Sequence, residues 1–483
     1  MTPHVHRPVR WAVGGTAVCL TAWLVVAVLG PSAAAPPLGA GVGALDLGRH
    51  PSSATVSVLM ALSVLAGGAG LAGGVLAVSR GWRPRRFLVL AGVGALLLVL
   101  VPPVGSADHL SYAAYGRIAA LGGDPYSQPP DTFAGGTDPV ASAVRDPWRS
   151  TTSVYGPVGG LLMALCSVVG GDSVRTTVWA WQVLLLLAWA LVAVVGHRVL
   201  RDVGDEGRER AWFAVLFAAN PLLLTVGLGG AHADVLAGAA AVLALVLAAR
   251  SPVLAGVALA VAVGTKLPYG VVAVGIVVAA LSVRPAARRP TVGWLLRGVL
   301  AALVVLVPAH LWAGVHVYDQ TRTASRFVSL ATVWRPLVEA GLPRVLLLPG
   351  TALVVLVVAV LWWPVLVRGG ELQRAAGASA VVAAGYLLGA AYELPWYDLL
   401  LWGSLALAVA AGPRSARLLV LVLAARLTLL ALAYVPGLVD GMSPVVQAVT
   451  LGYRREVGPW VAWAALLAVV VCGVRARRSV AVS

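Results

Sequence analysis

Charged residues are scarce in this chain of 483 residues: Asp, Glu, Lys and Arg together make up 11% of it, whereas 60% is hydrophobic. An ordinary soluble domain contains about 25% charged residues, which it needs to cover its surface. Apolar runs recur along the whole sequence, many of them as long as the roughly eighteen residues that a membrane-spanning helix requires. The composition therefore excludes a soluble enzyme, a disordered chain and a disulfide scaffold, and it predicts an all-α polytopic membrane protein.

Cysteine, lysine and asparagine are nearly missing. The three cysteines, Cys19, Cys166 and Cys472, lie far apart in apolar stretches, so they indicate neither a disulfide framework nor a metal site, and we interpret them as small apolar side chains. Lys266 is the only lysine and Asn220 the only asparagine. Because arginine is used wherever else the chain carries a long cationic side chain, the one lysine suggests a place where a compact ammonium group is needed.

Basic residues outnumber acidic ones by 35 to 19, which gives a formal charge of +16. Most of the excess is arginine beside apolar runs, as expected when basic residues mark the cytoplasmic ends of membrane helices, so nucleic acid is not an expected partner. The clusters contain Arg7 and Arg10; Arg80, Arg83, Arg85 and Arg86; Arg198, Arg201, Arg208 and Arg210; Arg284, Arg288 and Arg289; Arg368 and Arg374; Arg414 and Arg417; and Arg475, Arg477 and Arg478. Placing all of them inside predicts one integral membrane domain over residues 1–483, with about fourteen membrane segments, both termini in the cytoplasm and a location in the plasma membrane.

Three stretches complicate this topology. Residues 252–264 and 268–283 are short for spanning helices and meet around Lys266, which predicts a tilted or re-entrant hairpin. Residues 154–170 are also short, and a helix lying on the outer surface keeps the charge pattern consistent. The N-terminal apolar segment is longer than the usual core of a signal peptide, so we interpret it as a membrane anchor, with a cleaved signal peptide as the alternative.

Two large loops are predicted on the outer side, the first at 105–174 and the second at 314–344. The first is rich in aspartate and contains Asp108, Asp124, Asp131, Asp138, Asp146 and Asp172. The second is basic and contains Arg322, Arg326, Arg335 and Arg344. Because basic residues on the outer side depart from the positive-inside rule, they indicate a functional role.

The first loop opens with Asp108 and His109, followed by Tyr112. A carboxylate at the outer mouth of a helix can deprotonate an acceptor hydroxyl as a general base, and His109 can bind a phosphate or hold that carboxylate. The alternative is that Asp108 only caps the helix that follows. Tyr126 and Tyr155 lie in turn-rich sequence and suit packing against sugar rings, although interfacial tyrosines are also common in membrane proteins.

Polar residues interrupt the apolar sequence again between residues 220 and 270. Asn220 begins one apolar run, His232 and Asp234 begin the next, and Lys266 lies in the turn of the predicted hairpin. Ionisable groups within a membrane are costly and usually face the protein interior or a cavity. Lys266 therefore suggests a cation that binds phosphate, and an ion pair with Asp234 that only stabilises the helices is the alternative.

The second loop and a later aromatic stretch complete the candidates. On a helix, Arg322 and Arg326 would share one face and clamp a phosphate. Trp396 and Tyr397 stand between two acidic residues, in a patch that either takes part in substrate binding or anchors the chain at the membrane interface.

Together these motifs resemble the polyprenol-phosphate-mannose-dependent α-1,6-mannosyltransferases of actinobacteria, which are membrane glycosyltransferases of the GT-C fold. The resemblance covers most of the chain and is weakest before residue 80 and after residue 410. It rests on DHLSYAAYGRIAALGGDPY, on W-x(4)-SVYGP from Trp148 to Pro157, on NPLLL-x(4)-GGAHAD, on GTKLPYG and on YELPWYDLL.

The resemblance implies an inverting enzyme whose donor is a polyprenyl-phosphate sugar, polyprenyl-phosphomannose, entering from the lipid bilayer. The implied acceptor is a glycolipid or a growing α-1,6-mannan of the lipomannan type. Asp108 matches the acidic residue regarded as the general base of this fold. Many GT-C enzymes have a second acidic residue there, whereas this chain has His109, so we expect no metal and no other cofactor, with a divalent metal as the open alternative.

For a donor and acceptor of this kind, charge and position suggest roles for the remaining polar candidates. Lys266, Arg322 and Arg326 would bind the donor phosphate and stabilise it as it leaves. His232 and Asp234 would orient the sugar or the base.

Two other functions stay open on the sequence. The first is a sibling GT-C transferase that uses arabinose or glucose, or that forms an α-1,2 linkage. The second belongs to another class, a transporter or flippase for a polyprenyl lipid or a sugar. Because a transporter favours inverted repeats and charges near the membrane midplane, the long outer loop rich in aspartate favours the transferase.

Overall fold

The fold is all-helical, as the composition predicted. The computed structural model describes residues 3–201, 207–285, 290–410 and 416–481, and side chains between residues 6 and 479 of those ranges. These ranges contain nineteen α-helices and no β-strand, apart from a single bridge that pairs Ser32 with Ala35. Of the predicted cytoplasmic clusters, the residues outside the described ranges are Arg288, Arg289 and Arg414.

The α-helices are numbered in chain order. They are α1 (Pro3–Leu29), α2 (Ser53–Val78), α3 (Arg85–Leu100), α4 (Asp108–Ala120), α5 (Pro157–Gly170), α6 (Val174–Val199), α7 (Arg208–Phe213), α8 (Asp234–Ala248), α9 (Pro252–Thr265), α10 (Val271–Val283), α11 (Val292–Ala313), α12 (Asp319–Ala324), α13 (Arg335–Glu339), α14 (Leu347–Leu366), α15 (Glu371–Gly389), α16 (Leu399–Val409), α17 (Ala416–Ala433), α18 (Pro444–Gly452) and α19 (Gly458–Ala481). Short 3₁₀ helices lie at Phe133–Gly136, Ala141–Ala143, Leu267–Gly270, Arg344–Leu346 and Pro395–Asp398, and π-helical turns at Ala214–Ala218, Leu223–Gly229 and Tyr453–Val457.

Within the described ranges, seven helices are long and apolar enough to cross a bilayer, or eight if one bent pair counts as a single span. The seven are His6–Leu29, Ser53–Val78, Val174–Val199, Val292–Ala313, Arg344–Leu366, Ala416–Ala433 and Pro444–Ser479. The protein is therefore a multi-pass membrane protein. The predicted number of about fourteen segments is not confirmed, because several other apolar helices are shorter than the roughly eighteen residues a span needs.

The two short apolar stretches around Lys266 form α9 and α10, joined by the 3₁₀ turn Leu267–Gly270. Helix α9 packs mainly against α8 and α11, whereas α10 packs mainly against α15. The two helices therefore pack against different partners, and a tilted or re-entrant hairpin stays a prediction. Lys266 lies where the chain changes direction between them.

A break in the helical chain lies between α7 and α8, where two apolar segments meet at an angle of 50°. Asn220 is fully buried at this break. Its side-chain oxygen accepts the N–H groups of Leu222 (3.1 Å) and Leu223 (3.4 Å), and its amide donates to the carbonyl of Leu216 (3.0 Å). The only asparagine, predicted to bind substrate, is thus occupied by backbone groups that a broken membrane helix would otherwise leave unpaired.

Two arginines form ion pairs near the two ends of the first loop. Arg117, in the last turn of α4, pairs with buried Asp138 at 2.9 Å and also with Asp172. Arg175, at the start of α6, pairs with Asp46 at 2.9 Å. The α4 helix, which begins with the predicted base, is therefore held at its far end by ion pairs as well as by packing against α5 and α6.

Candidate functional site

Residues from four separate parts of the chain meet in one place. Asp108 is the first residue of α4, His232 lies in the turn before α8, and Lys266 follows the last residue of α9. Trp396 and Tyr397 belong to the 3₁₀ helix that precedes α16. The structure thus brings together most of the polar and aromatic residues selected from the sequence.

Asp108 faces the imidazole of His232. The Oδ2 atom of Asp108 lies 3.4 Å from Nδ1 of His232; the aspartate side chain is 19% exposed and the histidine side chain 1%. The N-cap residue of α4 is Ala107, and the first N–H of the helix, that of Asp108, donates to the hydroxyl of Ser106 at 3.2 Å. The alternative in which Asp108 serves only as a helix cap is therefore not supported, and its carboxylate is reachable from solvent beside a buried imidazole.

The imidazole of His232 is held on several sides. Its Nε2 atom lies 3.4 Å from the hydroxyl of Ser106, and the Tyr112 hydroxyl lies 3.5 Å from Nδ1. The ring stacks on the indole of Trp396 with 3.6 Å between ring centroids and an angle of 11°. The preceding Ala231 has a φ of +54°, a strained conformation for a residue with a Cβ atom. These contacts fix the ring next to Asp108.

Lys266 forms an ion pair with Asp234. Its Nζ atom lies 2.8 Å from both carboxylate oxygens of Asp234, and the Tyr269 hydroxyl donates to the same carboxylate at 3.1 Å. The ammonium also lies 3.6 Å from the centroid of the Tyr397 ring. The ion pair expected as the alternative is therefore present. Because an ammonium has three N–H donors and the carboxylate takes two, the third remains for an anionic ligand.

Aromatic rings form a wall beside His232. Tyr112 meets Tyr155 edge-on at 5.0 Å between centroids and lies 5.6 Å from Trp181. The Trp181 indole donates to the carbonyl of Ala231 at 3.0 Å, next to His232. Burial raises the pKa of Tyr112 well above its ordinary value, so this hydroxyl stays protonated. Tyr112 and Tyr155 therefore belong to the site as neutral aromatic side chains.

A narrow apolar cleft of about 20 Å³, lined by residues of α1, α2 and α17, lies beside the site. His232 and Trp396 form its polar end, and the rest of its wall is almost entirely hydrocarbon or aromatic. The lining residues are Trp23, Met60, Val64, Val104, Gly105, Val226, His232, Pro395, Trp396, Ala431, Tyr434 and Val435. The cleft connects an apolar environment with the imidazole that contacts Asp108.

Arg426 in α17 is a buried charge that was not among the candidates predicted from the sequence. This guanidinium is 5% exposed, donates to Asp398 at 2.7 Å and pairs with Glu393. Glu393 and Asp398 are the acidic residues that flank the aromatic stretch, and both are buried rather than lying at an exposed interface. The signal was present, because a single arginine within an apolar run of membrane length is costly and marks a specific partner.

Two predicted site residues face elsewhere. Tyr126 packs against Trp312 with 6.3 Å between centroids, and its hydroxyl has no hydrogen-bond partner among the described residues. His109 is buried beside Cys166 and Trp181, and neither ring nitrogen has a partner in the described part of the chain. Burial lowers the pKa of His109 to about 3. It is therefore neutral at physiological pH, which does not suit the expected contact with phosphate.

The two arginines of the second loop do not share a helix face. Helix α12 ends before Arg326, so the helical spacing assumed for the pair is wrong. Arg322 is 77% exposed, and its guanidinium lies 3.3 Å from Asp319. The same helix contacts the first loop, since the Thr321 hydroxyl donates to the carbonyl of Val154 at 3.1 Å. This loop therefore borders the site without placing both cations on it.

Among the described residues, no three His, Cys, Asp or Glu side chains are grouped as the ligands of a metal ion would be. The carboxylates of the site each have another partner: His232 for Asp108 and Lys266 for Asp234. A reaction without a resident metal stays a prediction.

These residues lie in a region shared with known proteins. The profile of a protein family described as "Alpha-(1->6)-mannopyranosyltransferase, N-terminal domain" matches residues 11–284, more than half of the chain. The chain belongs to this family. The region matched by the mannopyranosyltransferase profile includes Asp108, His232 and Lys266, whereas the aromatic segment around Trp396 follows it.

Individual mannopyranosyltransferases match this chain over shorter lengths than the family profile does. Alpha-(1->6)-mannopyranosyltransferase A of Corynebacterium glutamicum is 32% identical over 170 residues, which is 35% of this chain and 34% of the relative. The protein of the same description from Mycobacterium tuberculosis is 30% identical over 175 residues, covering 36% and 33%. The matches thus span about a third of the length of these curated relatives. The crystal structure of ArnT from Cupriavidus metallidurans bound to undecaprenyl phosphate aligns with a TM-score of 0.40 and 16% identity, covering 82% of this chain and 77% of that one.

Proposed function

We propose that the protein is an inverting GT-C hexosyltransferase that moves mannose from polyprenyl-phosphomannose to a growing α-1,6-mannan acceptor at the outer face of the plasma membrane. The observation that carries the proposal is the contact between Asp108 and His232 beside the ammonium of Lys266. It supplies a reachable carboxylate and a cation, the two charges that this transfer needs. Membership in the mannopyranosyltransferase family supports the choice of sugar.

The proposed step begins at Asp108. Its carboxylate takes the proton of an acceptor hydroxyl, and the oxygen attacks the anomeric carbon of the donor. The new glycosidic C–O bond forms as the bond between that carbon and the phosphate oxygen breaks, and the electron pair leaves with the phosphate. Because attack comes from the face opposite the leaving group, a β-linked phosphosugar yields an α-glycoside. The 19% exposure of Asp108 is consistent with access by an acceptor.

His232 and Lys266 assist on either side of this step. His232, fixed by Trp396, keeps the Asp108 carboxylate oriented. The leaving phosphate gains negative charge as its bond breaks, so a cation that contacts it there stabilises the transition state more than the ground state. In the proposal Lys266 is that cation, and Asp234 holds it in place.

The apolar cleft supports a lipid-linked donor. Its walls contain Trp23, Met60 and Val64, and its polar end is His232. A polyprenyl chain is a hydrocarbon that dissolves in the bilayer and can contact these apolar side chains, whereas a nucleotide sugar offers no such surface. We therefore favour a donor with a lipid part over a nucleotide sugar.

Helix α3 supports action at the outer face. It begins at Arg85, next to the basic residues 80–86, and ends at Leu100, shortly before Asp108. A helix of 16 residues is about 24 Å long, which is shorter than the roughly 30 Å apolar layer, so in the proposal the chain on either side of α3 completes the crossing. If the arginine end is cytoplasmic, Asp108 is outside.

The transfer itself is testable with the full chain in nanodiscs and a radiolabelled polyprenyl-phosphomannose donor. We expect mannose to be added to a short α-1,6-mannoside acceptor, with an α-1,6 linkage in the product and no transfer from GDP-mannose. Arabinosyl and glucosyl polyprenyl phosphates serve as matched donors. Transfer of one of those sugars instead would favour a sibling transferase, and movement of the lipid across vesicles without transfer would favour a transporter.

The orientation is testable by cysteine labelling in a variant whose native cysteines are replaced by alanine. Thr132→Cys, at an exposed position of the first loop, should react with a membrane-impermeant maleimide in intact cells. Arg86→Cys, exposed at the other end of α3, should react only after lysis. Labelling in the reverse order would place the site in the cytoplasm and contradict the proposal.

A further inference from the structure

Arg426 is a buried cation in the middle of α17, whose other charged residue, Arg417, lies at the start of the helix. Its guanidinium donates to Oδ1 of Asp398 at 2.7 Å and to the carbonyl of Leu387 at 3.2 Å, and it pairs with Glu393. All three ionised side chains are at most 5% exposed. Removing three charges from water is costly, and their mutual attraction offsets only part of that cost. Among the described residues, neither carboxylate forms an ion pair with Lys266 or a contact with Asp108.

The two carboxylates lie at the two ends of one short segment, 393–398. Other contacts fix the same ends: Ser329 exchanges hydrogen bonds with the backbone of Glu393, and the Trp402 indole donates to Oδ2 of Asp398 at 3.1 Å. The Tyr434 hydroxyl donates to the Glu393 carbonyl at 3.0 Å. A single guanidinium thus connects both ends of the segment to helix α17.

The middle of this segment carries the two aromatic rings of the site. Trp396 stacks on His232 at 3.6 Å, and the ring of Tyr397 lies 3.6 Å from the ammonium of Lys266. His232 contacts Asp108, and Lys266 contacts Asp234. A chain of direct contacts therefore runs from Arg426 to both halves of the site.

We propose that Arg426 is a positioning residue for the transfer reaction. It fixes the 393–398 segment through Glu393 and Asp398, so that Trp396 holds the imidazole and Tyr397 holds the ammonium. The effect of Arg426 on catalysis rests on the proposed function. The effect of Arg426 on the position of Tyr397 does not depend on any activity. A shift of about 1 Å in such a contact reduces rates by about a hundredfold.

The kinetic test compares Arg426→Met with Arg284→Met. Arg284 is a matched control because it is also 5% exposed, pairs with Glu371 at 2.7 Å, and lies against Trp294 away from the site. Arg426→Met should lower kcat per folded molecule by about ten- to a hundredfold with a smaller change in the KM of the acceptor. Arg284→Met should lower thermal stability and keep kcat.

Two further variants separate positioning from bulk stability. Arg426→Lys keeps the charge without the planar fork, and it should recover part of the lost kcat. Combining Arg426→Met with Trp396→Ala should give a loss well below the product of the two single losses, because the two residues act on one contact. Fully multiplicative losses, or a wild-type kcat in folded Arg426→Met, would overturn the positioning role.

A readout without activity uses the single lysine of the sequence. Lys266 is acylated with a small amine-reactive ester, and the modified peptide is quantified by mass spectrometry. The rate of acylation reports how closely Tyr397 and Asp234 cover the ammonium. Arg426→Met should acylate severalfold faster than the wild type, and Arg284→Met should not. An unchanged rate in Arg426→Met refutes the role even if the wild type transfers no mannose, whereas a faster rate without any transfer refutes only the proposed function.

Discussion

Replacing Asp108 with asparagine is expected to lower kcat for mannose transfer by about a hundred- to ten-thousandfold, the usual contribution of a general base. The amide has nearly the same shape as the carboxylate, so it keeps the position 3.4 Å from His232 while it loses the ability to accept the acceptor proton. The measurement is initial-rate transfer from polyprenyl-phosphomannose, normalised to folded protein. The KM of the donor should change little, because the proposed function places the donor phosphate at Lys266.

Asp131→Asn is the matched control for this experiment. Asp131 lies in the same loop, 105–174, and is partly exposed, and its substitution makes the same change in charge. We expect it to transfer mannose at the wild-type rate. Full activity of Asp108→Asn would remove Asp108 as the base, and equal losses in both variants would indicate a general effect of loop charge.

The second large effect is expected at Lys266. In Lys266→Met the carboxylate of Asp234, which is 2% exposed, loses its cation and keeps only the hydroxyl of Tyr269 as a side-chain partner. Leaving one partner of a buried pair uncompensated costs about 3–5 kcal/mol of folding stability. We expect both a lower yield of folded protein and, in the folded fraction, a loss of about a hundredfold or more in kcat.

The double variant Lys266→Met/Asp234→Asn separates these two effects. It removes both charges, so the buried site no longer holds an unpaired ion, and thermal unfolding should return toward the wild-type temperature. Transfer should stay low, because the leaving phosphate still lacks its cation. If the double variant recovers transfer together with stability, the ion pair is only structural and the phosphate is bound elsewhere.

Part of this site could be predicted because polar residues are rare within the apolar sequence of a membrane protein. Asp234 and Lys266 interrupt apolar runs, and an ion pair between them was one of the two interpretations of the sequence. Asp108 was selected because it opens an outer loop directly after a spanning segment. Ionisable residues are rare in membrane sequences and are usually paired, because burying an unpaired charge is costly. The few that occur here could therefore be selected from the sequence.

Contacts between remote segments were not predictable in the same way. No local pattern indicates that Trp396 stacks on His232, because that contact depends on the packing of α16 and α17 around the 393–398 segment. Arg426 was overlooked although it is the single charge in the middle of an apolar helix. Its two partners, Glu393 and Asp398, flank tryptophan and tyrosine, so the sequence left interfacial anchoring open beside substrate binding.

Two expectations were wrong for reasons of helix geometry. Successive residues of a helix point about 100° apart, so Asp108 faces His232 while His109 faces the packed side of α4 toward Cys166. Spacing by four residues joins Arg322 and Arg326 only if the helix continues, and α12 ends at Ala324. In both cases the residue types were informative, and the direction of the side chains needed the structure.

An enzyme that elongates a polymer has to move either its own active site or the polymer by one sugar unit in every cycle. The ion pair of Arg117 with Asp138 holds the first loop against the end of α4, and the pair of Arg175 with Asp46 holds the segment between α1 and α2 against α6, so the base belongs to a stationary part of the molecule. On the proposed function, the translocating component is then the glycan itself. Each cycle leaves the new chain end one residue beyond the carboxylate, and the mannan must slide back or dissociate before Asp108 meets the next hydroxyl. Processivity would accordingly depend on how firmly the surface beyond Asp108 holds the product.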